Sequence, residues 1–380
     1  MNFKEINSFI KDLYPNNKFI PLHEPRFIGN EKKYLSEVID STFVSSVGKY
    51  VDELENKFSE FSNTEKSVAV VNGTSALQVA LRLVGVEQGD EVLTQALTFI
   101  ATSNAIIYNG ASPIFLDVDL DTMGLSPKAV EKFLNQNCEI NDDFCFNKLT
   151  KRRISACVPM HTFGFPVHMK ELIEVCKRWK IPIVEDSAES LGSYYNGKLT
   201  GTIGDVGVYS LNGNKIITSG GGGIIVSKNK KLCEKAKFLT TTAKKPHPYD
   251  YVHDEIGYNF RMPNLNAALA LAQFENLSNY LENKRELAKI YQTFFEKIGL
   301  KFRTENNNTK SNYWLMTIEL KNKKERDLFL KETNNNNVMS RPIWNLNYKT
   351  NPYSKYYRDE QKNALFLEQR IINIPSSVRI

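Results

Sequence analysis

Apolar runs of strand length alternate with amphipathic stretches along the first 240 residues of the chain. The runs stand at 67–71, 91–94, 112–118, 154–160 and 181–184. Hydrophobic residues at helical spacing separate them, at 76–84, 98–108, 126–134 and 169–180. This alternation predicts a mainly parallel sheet covered by helices, and such sheets bind ligands at the carboxyl ends of their strands.

The pattern changes after residue 240. A loop rich in Pro, His and Tyr at 244–258 precedes a long helical pattern over 265–295. Two Asn-rich stretches then flank a strand and a helix. We therefore expect a large α/β domain over residues 1–250 and a smaller C-terminal α+β domain over residues 251–380.

Composition narrows the classes of function. The 380 residues suffice for two domains that share one site. The 49 basic and 43 acidic side chains give a net charge of +6, spread along the chain, which favours an anionic ligand only weakly. No stretch interleaves basic with aromatic residues, so we expect no nucleic-acid partner.

The cysteines and the hydropathy pattern indicate a cytoplasmic protein. The five cysteines lack CxxC spacing, which fits reduced thiols better than disulfides or a zinc site, and we expect no bound metal. His161 and His168 bracket a short segment but lack a third ligand at suitable spacing. We find no secretory signal and no apolar run of membrane-spanning length, so no membrane partner is expected.

Lys215 stands between two apolar runs and carries the candidate chemistry. The apolar run at 206–211 and the small and polar residues at 212–214 precede Lys215. The glycines at 220–223 follow it. Most lysines are surface charges, so the prediction depends on the neighbouring signals. A buried, neutral amine is the nucleophile that reacts with an aldehyde, and once freed it can move a proton between substrate and cofactor carbons.

The run at 181–184 ends in Glu185, Asp186, Ser187, Ala188 and Glu189. A pyridoxal phosphate enzyme needs a carboxylate to pair with the pyridinium nitrogen and a lysine amine to form the Schiff base. Here the carboxylate would stand at one strand end and the lysine after a later strand. Asp186 could instead cap a helix. Glu189 could be a capping-box partner or could line the cofactor pocket.

A turn of Gly73, Thr74 and Ser75 follows the strand at 67–71 and precedes a helix. Strand, glycine turn and helix place free backbone N–H groups and a positive helix end on a phosphate. The same sequence also suits a plain strand-to-helix turn. Ser210, which follows another strand, adds a second hydroxyl and strengthens the phosphate interpretation.

Further candidates rest on weaker signals. Ser45 lies in a hydroxyl-rich loop at 44–48, and Phe99 stands at a helix start, where a core role is the commoner one. His161 ends a strand and is a candidate pocket residue. Arg261 precedes a helix and could serve an anion or form an ordinary ion pair.

The motifs at 72–76, 185–189, 210–223 and 257–261 resemble those of the DegT/DnrJ/EryC1/StrS sugar aminotransferases, which have the aspartate-aminotransferase fold, fold type I of the pyridoxal phosphate-dependent transferases. The resemblance runs from about residue 21 to 375. Segments 21–27, 40–48 and 211–214 are most similar to the LegC-like branch. That branch aminates C4 of nucleotide-linked 2-acetamido-4-keto-6-deoxy sugars for legionaminic-acid-type or bacillosamine-type glycans.

The resemblance implies roles for individual residues. Lys215 would bond to pyridoxal 5'-phosphate, Asp186 would pair with its pyridinium nitrogen and Phe99 would stack on its ring. Gly73, Glu189 and four polar residues would complete the cofactor site, the four as phosphate ligands: Thr74, Ser75, Ser210 and, from a neighbouring subunit, Asn259. Four further residues would lie toward the nucleotide sugar, namely Ser45, His161, Arg261 and Arg341.

The resemblance also implies a homodimer with shared active sites, with L-glutamate as amino donor. Many members have Phe-His where this chain has Leu211 and Asn212, and Glu where it has Gly221. We expect these positions to shape the sugar pocket. Two alternatives stay open: a 3-keto-sugar aminotransferase, and a regulatory protein that binds the cofactor without turnover.

Overall fold

The computed structural model describes residues 3–379, and the remaining three residues lie outside it. The helices are α1 Phe3–Leu13, α2 Glu31–Ser41, α3 Lys49–Ser62, α4 Gly73–Leu83, α5 Ile100–Tyr108, α6 Pro127–Asn137, α7 Met169–Arg178, α8 Lys230–Thr240, α9 Asn264–Glu275, α10 Leu277–Lys297, α11 Lys323–Asn335 and α12 Lys362–Glu368. Short 3₁₀ turns occupy Thr162–Gly164, Asn347–Lys349 and Asn351–Tyr353.

The strands are mostly short. They are β1 Lys66–Val70, β2 Glu91–Gln95, β3 Ser112–Leu116, β4 Cys138–Asn141, β5 Phe144–Asn147, β6 Arg153–Val158, β7 Val184–Asp186, β8 Tyr194–Tyr195, β9 Lys198–Leu199, β10 Val206–Ser210, β11 Gly223–Ser227, β12 Lys244–Lys245, β13 Val252–His253, β14 Lys301–Phe302, β15 Thr309–Lys310, β16 Met316–Glu319, β17 Arg341–Pro342 and β18 Ile371–Ile374.

A mixed central sheet forms the large part of the molecule, in the order β3-β2-β6-β7-β10-β11-β1. Strands β3, β2 and β6 are parallel, and β7 is parallel to β10. The parallel pairs Cys157 with Ile183 and Met160 with Asp186 join the two halves. Strand β11 runs antiparallel to its neighbours β1 and β10, and the hairpin of β4 and β5 joins β6 in antiparallel pairing. The other pairs are parallel, so the predicted, mainly parallel α/β sheet is confirmed.

Helices cover both faces of this sheet because its strands are apolar on both sides. In β10, Val208 packs in a buried cluster with α4, α5 and α8, whereas the next residue, Tyr209, packs on the opposite face with α3 and α9. A third cluster joins α6 and α7 to β2 and β3. The carboxyl ends of the parallel strands therefore stay open at one edge of the sheet.

A smaller antiparallel sheet, β14-β16-β18-β17, lies in the C-terminal part. It packs with α10 and α11 in one apolar cluster, which also contains Ile6, Ile10 and Tyr14 of the N-terminal region. Ile20 pairs with Val338 in the same region. Residues 3–20 thus pack with the small sheet, and the domain limits 1–250 and 251–380 stay a prediction.

One predicted element differs from the structure. The helical pattern over 265–295 is two helices, because the chain turns at Asn276 (φ −99°, ψ 2°) between α9 and α10. The break lets α9 pack on α2 and α3 while α10 packs in the cluster of the small sheet. Among residues 3–379, no helix combines the length and the apolar character needed to cross a membrane.

Candidate active site

A cavity of about 490 Å³ opens at the carboxyl ends of β1, β7 and β10, where the central sheet meets the C-terminal part. The large domain contributes the predicted chemical groups to its lining, and the C-terminal part contributes an apolar wall. The lining includes Leu22, Gly73, Thr74, Phe99, Thr102, Phe163, Asp186, Glu189, Ser210, Asn212, Lys215, Trp314, Arg341, Pro342 and Trp344.

Lys215 lies in the loop between β10 and β11, and its backbone N–H donates to the Asn212 carbonyl (3.0 Å). The side chain is 12% exposed, and its Nζ lies 3.3 Å from Oε1 of Glu189. The same Nζ lies 3.9 Å from the centroid of the Trp314 ring. The amine is therefore held inside the cavity between a carboxyl group and an aromatic face.

Asp186 is the last residue of β7 and is buried. The Thr102 hydroxyl donates to its Oδ2 (2.7 Å), and the backbone N–H of Ala188 donates to its Oδ1 (3.2 Å). Burial raises the pKa of the carboxyl, and the two hydrogen bonds and the Lys215 charge oppose that rise. A buried carboxylate held in this way can pair with a protonated ring nitrogen.

Glu189 is almost inaccessible, with a side chain 2% exposed. Its Oε2 accepts a hydrogen bond from the backbone N–H of Phe163 (2.9 Å). Burial raises its pKa to about 7, with Lys215 acting in the opposite direction. Near neutral pH this group exchanges its proton readily, which is useful beside an amine that must gain and lose one.

The N-terminus of α4 forms one end of the cavity. Asn72 caps the helix, because its side-chain oxygen accepts from the Ser75 N–H (2.8 Å). Gly73 approaches Ser210 so closely that a Cβ on it would lie 3.0 Å from the Ser210 Cβ. Thr74 and Ser210 line the cavity, whereas Ser75 is buried and outside the lining. Two hydroxyls and a helix end thus converge as an anion site.

Phe99 caps α5 without a side-chain hydrogen bond and is 54% exposed at the cavity. A large exposed ring beside buried polar groups suits stacking on a planar ligand. Arg341, at the start of β17, is also exposed and lines the cavity. Both residues are among those that the family resemblance assigns to this site.

His161 lies beneath the cavity instead of in its lining. The side chain is fully buried, its Nε2 is 3.0 Å from Glu185 Oε2, and its Nδ1 accepts from the Val167 N–H (3.1 Å). Both ring nitrogens are thus engaged within the protein. The substrate contact predicted for His161 does not fit this position. The residue does follow a strand, as expected, but its ring points into the protein and not into the cavity.

Three other predicted residues lie outside the cavity of the single chain. Ser45 and Asn259 are exposed, and Arg261 donates from Nε to the Asn259 side-chain oxygen (3.0 Å). Of the positions at which the sequence departs from many family members, Asn212 lines the cavity, whereas Leu211 is buried in the core. Gly221 is not part of the lining either.

Two important residues of the cavity were missed from the sequence, Thr102 and Trp314. Thr102 follows Phe99 by three residues at the start of α5. Residues at this spacing share one face of a helix, so the position of Phe99 could have predicted that Thr102 lies at the cavity. Trp314 comes from the C-terminal part, and the indole Nε1–H donates to the carbonyl of Asn214 (2.7 Å) across the domain junction. No local pattern marks such a contact.

His168 lies on the surface, away from the cavity. Its Nε2 is 2.9 Å from Asp121 Oδ2, and Asp119 completes a group whose ligand atoms lie within 4.8 Å of one another. Asp121 also accepts from Asn306, and Asp119 accepts from Ser126. The spacing of His168 in the sequence did not reveal these two aspartates as neighbours. Their carboxyl groups already accept hydrogen bonds within the chain.

The residues present fit pyridoxal 5'-phosphate. The α4 N-terminus with Thr74 and Ser210 suits its phosphate, the close approach at Gly73 leaves room beside it, and Asp186 suits its ring nitrogen. When bound, this group supplies an aldehyde for the Lys215 amine and a ring that takes up electrons from the reacting carbon. Fold and site together define the class, a pyridoxal phosphate-dependent transferase of fold type I.

The family follows from comparison with known proteins. Residues 25–380 match the model of the DegT/DnrJ/EryC1/StrS aminotransferase family, and the chain belongs to that family. It is 35% identical over 361 residues to the GDP-perosamine synthase of Escherichia coli O157:H7, covering 94% of this chain and 93% of that one. It is 34% identical over 363 residues to the GDP-perosamine synthase of Vibrio cholerae, covering 94% of each.

Solved structures agree on the fold. Helicobacter pylori PseC, an aminotransferase involved in the biosynthesis of pseudoaminic acid, superposes with a TM-score of 0.85 at 23% identity. The superposition covers 94% of this chain and 93% of PseC. The protein is thus a pyridoxal phosphate-dependent sugar aminotransferase, as the sequence motifs predicted.

Proposed function

We propose that the protein transfers the amino group of L-glutamate to the C4 keto group of a nucleotide-linked 2-acetamido-4-keto-6-deoxy sugar. The product would enter the cytoplasmic synthesis of a surface glycan of the legionaminic-acid or bacillosamine type. The observation that carries the proposal is one cavity in which the Lys215 amine, the Asp186 carboxyl and the α4 N-terminus lie together. The 35% identical GDP-perosamine synthase, which is named for a nucleotide-linked amino sugar, supports the substrate class.

The aromatic wall of the cavity supports a deoxy sugar. Phe163, Trp314, Pro342 and Trp344 line it, and the rings of Phe163 and Trp344 lie 4.7 Å apart. Apolar walls with few polar groups suit a ligand that carries a methyl group and C–H faces. The exposed Arg341 at the edge of this wall offers a planar cation to the diphosphate of the nucleotide.

The roles proposed for Lys215 and its neighbours follow from their positions. Lys215 would hold and move the proton between substrate and cofactor carbons in both half-reactions. Asp186, oriented by Thr102, would keep the ring nitrogen protonated. Glu189 would exchange a proton with Lys215, because its pKa of about 7 lets it act on either side of neutrality.

A second copy of the chain would complete the site. Asn259 and Arg261 lie outside the cavity of their own chain. The loop between α2 and α3, which contains Ser45, also exposes the apolar side chains of Phe43, Val44 and Val47. Apolar patches of this kind mark interfaces. We propose a homodimer in which Asn259 contacts the cofactor phosphate of the partner subunit.

A panel of keto sugars tests the substrate. Purified protein is incubated with L-glutamate and with nucleotide-linked 4-keto-6-deoxy sugars, with and without the 2-acetamido group, and with 3-keto isomers. The product is analysed by mass spectrometry and NMR. We expect a new amine at C4 of the 2-acetamido sugar and none with the variant Lys215→Ala. Amination at C3, or retention of cofactor without any transfer, would refute the proposal in favour of one of the two alternatives.

Subunit complementation tests the shared site. Lys215→Ala and Asn259→Ala are each expected to be inactive. After mixing and subunit exchange, hybrid dimers would carry one site with both residues intact, which predicts about a quarter of the wild-type activity. No recovery in a mixture shown by light scattering to contain exchanged dimers would contradict the shared site.

A further inference from the structure

The Lys215 amine has two direct neighbours among the described cavity residues. On one side is Oε1 of Glu189, at 3.3 Å. On the other is the indole face of Trp314, whose centroid lies 3.9 Å from Nζ. An ammonium group over an aromatic face is attracted by the ring quadrupole, and the attraction increases when water is excluded. Trp314 is 4% exposed, so water is largely excluded here.

Three hydrogen bonds hold Trp314, one through its indole ring and two through its backbone. Its Nε1–H donates to the carbonyl of Asn214, the residue directly before Lys215 (2.7 Å). Its backbone N–H donates to the side-chain oxygen of Asn312 (2.8 Å), and its carbonyl accepts from the buried Lys284 (3.1 Å). The ring is therefore tied to the lysine loop itself, and its position relative to the amine does not depend on loose packing.

Asn312 joins the two neighbours of the amine. Besides holding Trp314, its Nδ2 donates to the backbone carbonyl of Glu189 (2.9 Å). A single amide from the C-terminal part thus sets the spacing between the carboxyl group and the aromatic face, with Lys215 between them.

We propose that Trp314 is the positioning residue of Lys215: its indole face holds the protonated amine in the cavity whenever that amine is not bonded to the cofactor. A lysine that alternates between bonded and free forms needs a defined place for the free form, because it must return a proton to the substrate from one direction. The proposal concerns the aminotransferase chemistry of the family and holds for any keto sugar.

The first test uses ligand-free protein and no activity. The chain has three tryptophans, so Trp179→Phe combined with Trp344→Phe leaves Trp314 as the only indole fluorophore. We expect the emission maximum of Trp314 at fixed pH to shift after Lys215→Met, because that change removes the amine from the indole face. Lys284, which contacts the Trp314 carbonyl, is unchanged in both proteins, so the difference is assigned to the Lys215 amine.

The second test compares Trp314→Phe with Trp314→Leu in the cofactor-loaded enzyme. Phe keeps an aromatic face, so we expect the glutamate half-reaction to stay within about threefold of wild type. Leu removes the face, and we expect kcat to fall about 30-fold, which is about 2 kcal/mol at 1.36 kcal/mol per tenfold, with KM for glutamate little changed. Trp179→Phe, outside the cavity, is the control.

Two results would overturn the proposal. The first is an emission maximum that is the same with Lys215 and with Lys215→Met; this measurement needs no substitution of Trp314 and therefore stands even where Trp314→Leu fails to fold. The second is an equal loss of kcat in Trp314→Phe and Trp314→Leu, which would indicate a packing role. Neither result bears on which sugar is the substrate, since that is decided by the keto-sugar panel.

Discussion

Glu189→Gln gives the sharpest prediction about stability. The folded protein raises the pKa of Glu189 from 4.5 to about 7 because the carboxyl is buried. Between these values the folded protein holds the proton and the unfolded chain has lost it. The favourable contribution is therefore complete below pH 4.5 and is lost as pH rises through 7. At about 1.36 kcal/mol per pKa unit, the loss is about 3 kcal/mol.

Glutamine keeps the shape of Glu189 but cannot titrate. With an unfolding entropy of about 2.1 cal/mol/K per residue, 3 kcal/mol is about 4 °C in the melting temperature of this chain. We expect ligand-free Glu189→Gln to gain about that much on wild type between pH 4 and pH 8. Glu174→Gln, the same change at an exposed position of α7, is the control. Parallel pH profiles for wild type and Glu189→Gln would refute the reasoning.

Three further substitutions test the site. Asp186→Asn should lower kcat at least about hundredfold while far-ultraviolet circular dichroism stays unchanged, because an amide cannot keep the ring nitrogen protonated; near-normal kcat would contradict its role. Asn72→Ala removes the cap of α4 and should cost about 1 kcal/mol in urea unfolding, against no loss if the cap is dispensable. Gly73→Ala crowds Ser210 and should weaken cofactor binding in absorbance titrations; unchanged affinity would argue against phosphate at this turn.

Local sequence patterns predicted that three of the polar residues of the cavity lie close together. Lys215, Asp186 and Ser210 each follow an apolar run of the kind that forms a buried strand, and strand ends of a parallel sheet meet at one edge. Their order along the chain therefore predicted their meeting in space. Two features were missed. The position of Thr102 depends on which face of α5 meets the cavity, and the break at Asn276 depends on a local turn; apolar spacing describes both only coarsely.

The contacts made across the molecule were not accessible in this way. Trp314 reaches Asn214 over a separation of 100 residues, and Asn312 reaches Glu189 over 123. Such contacts depend on how the C-terminal part packs against the large sheet. His161 shows the converse, because a correct strand end did not reveal that its ring turns inward onto Glu185.

The visible absorbance of the purified protein, before and after L-glutamate is added, tests the central claim most directly. We expect the absorbance of the bound cofactor to change with glutamate, to return when a nucleotide-linked 4-keto-6-deoxy sugar is added, and to show neither step in Lys215→Ala. A wild-type protein that binds pyridoxal 5'-phosphate but responds neither to glutamate nor to any keto sugar would contradict the account.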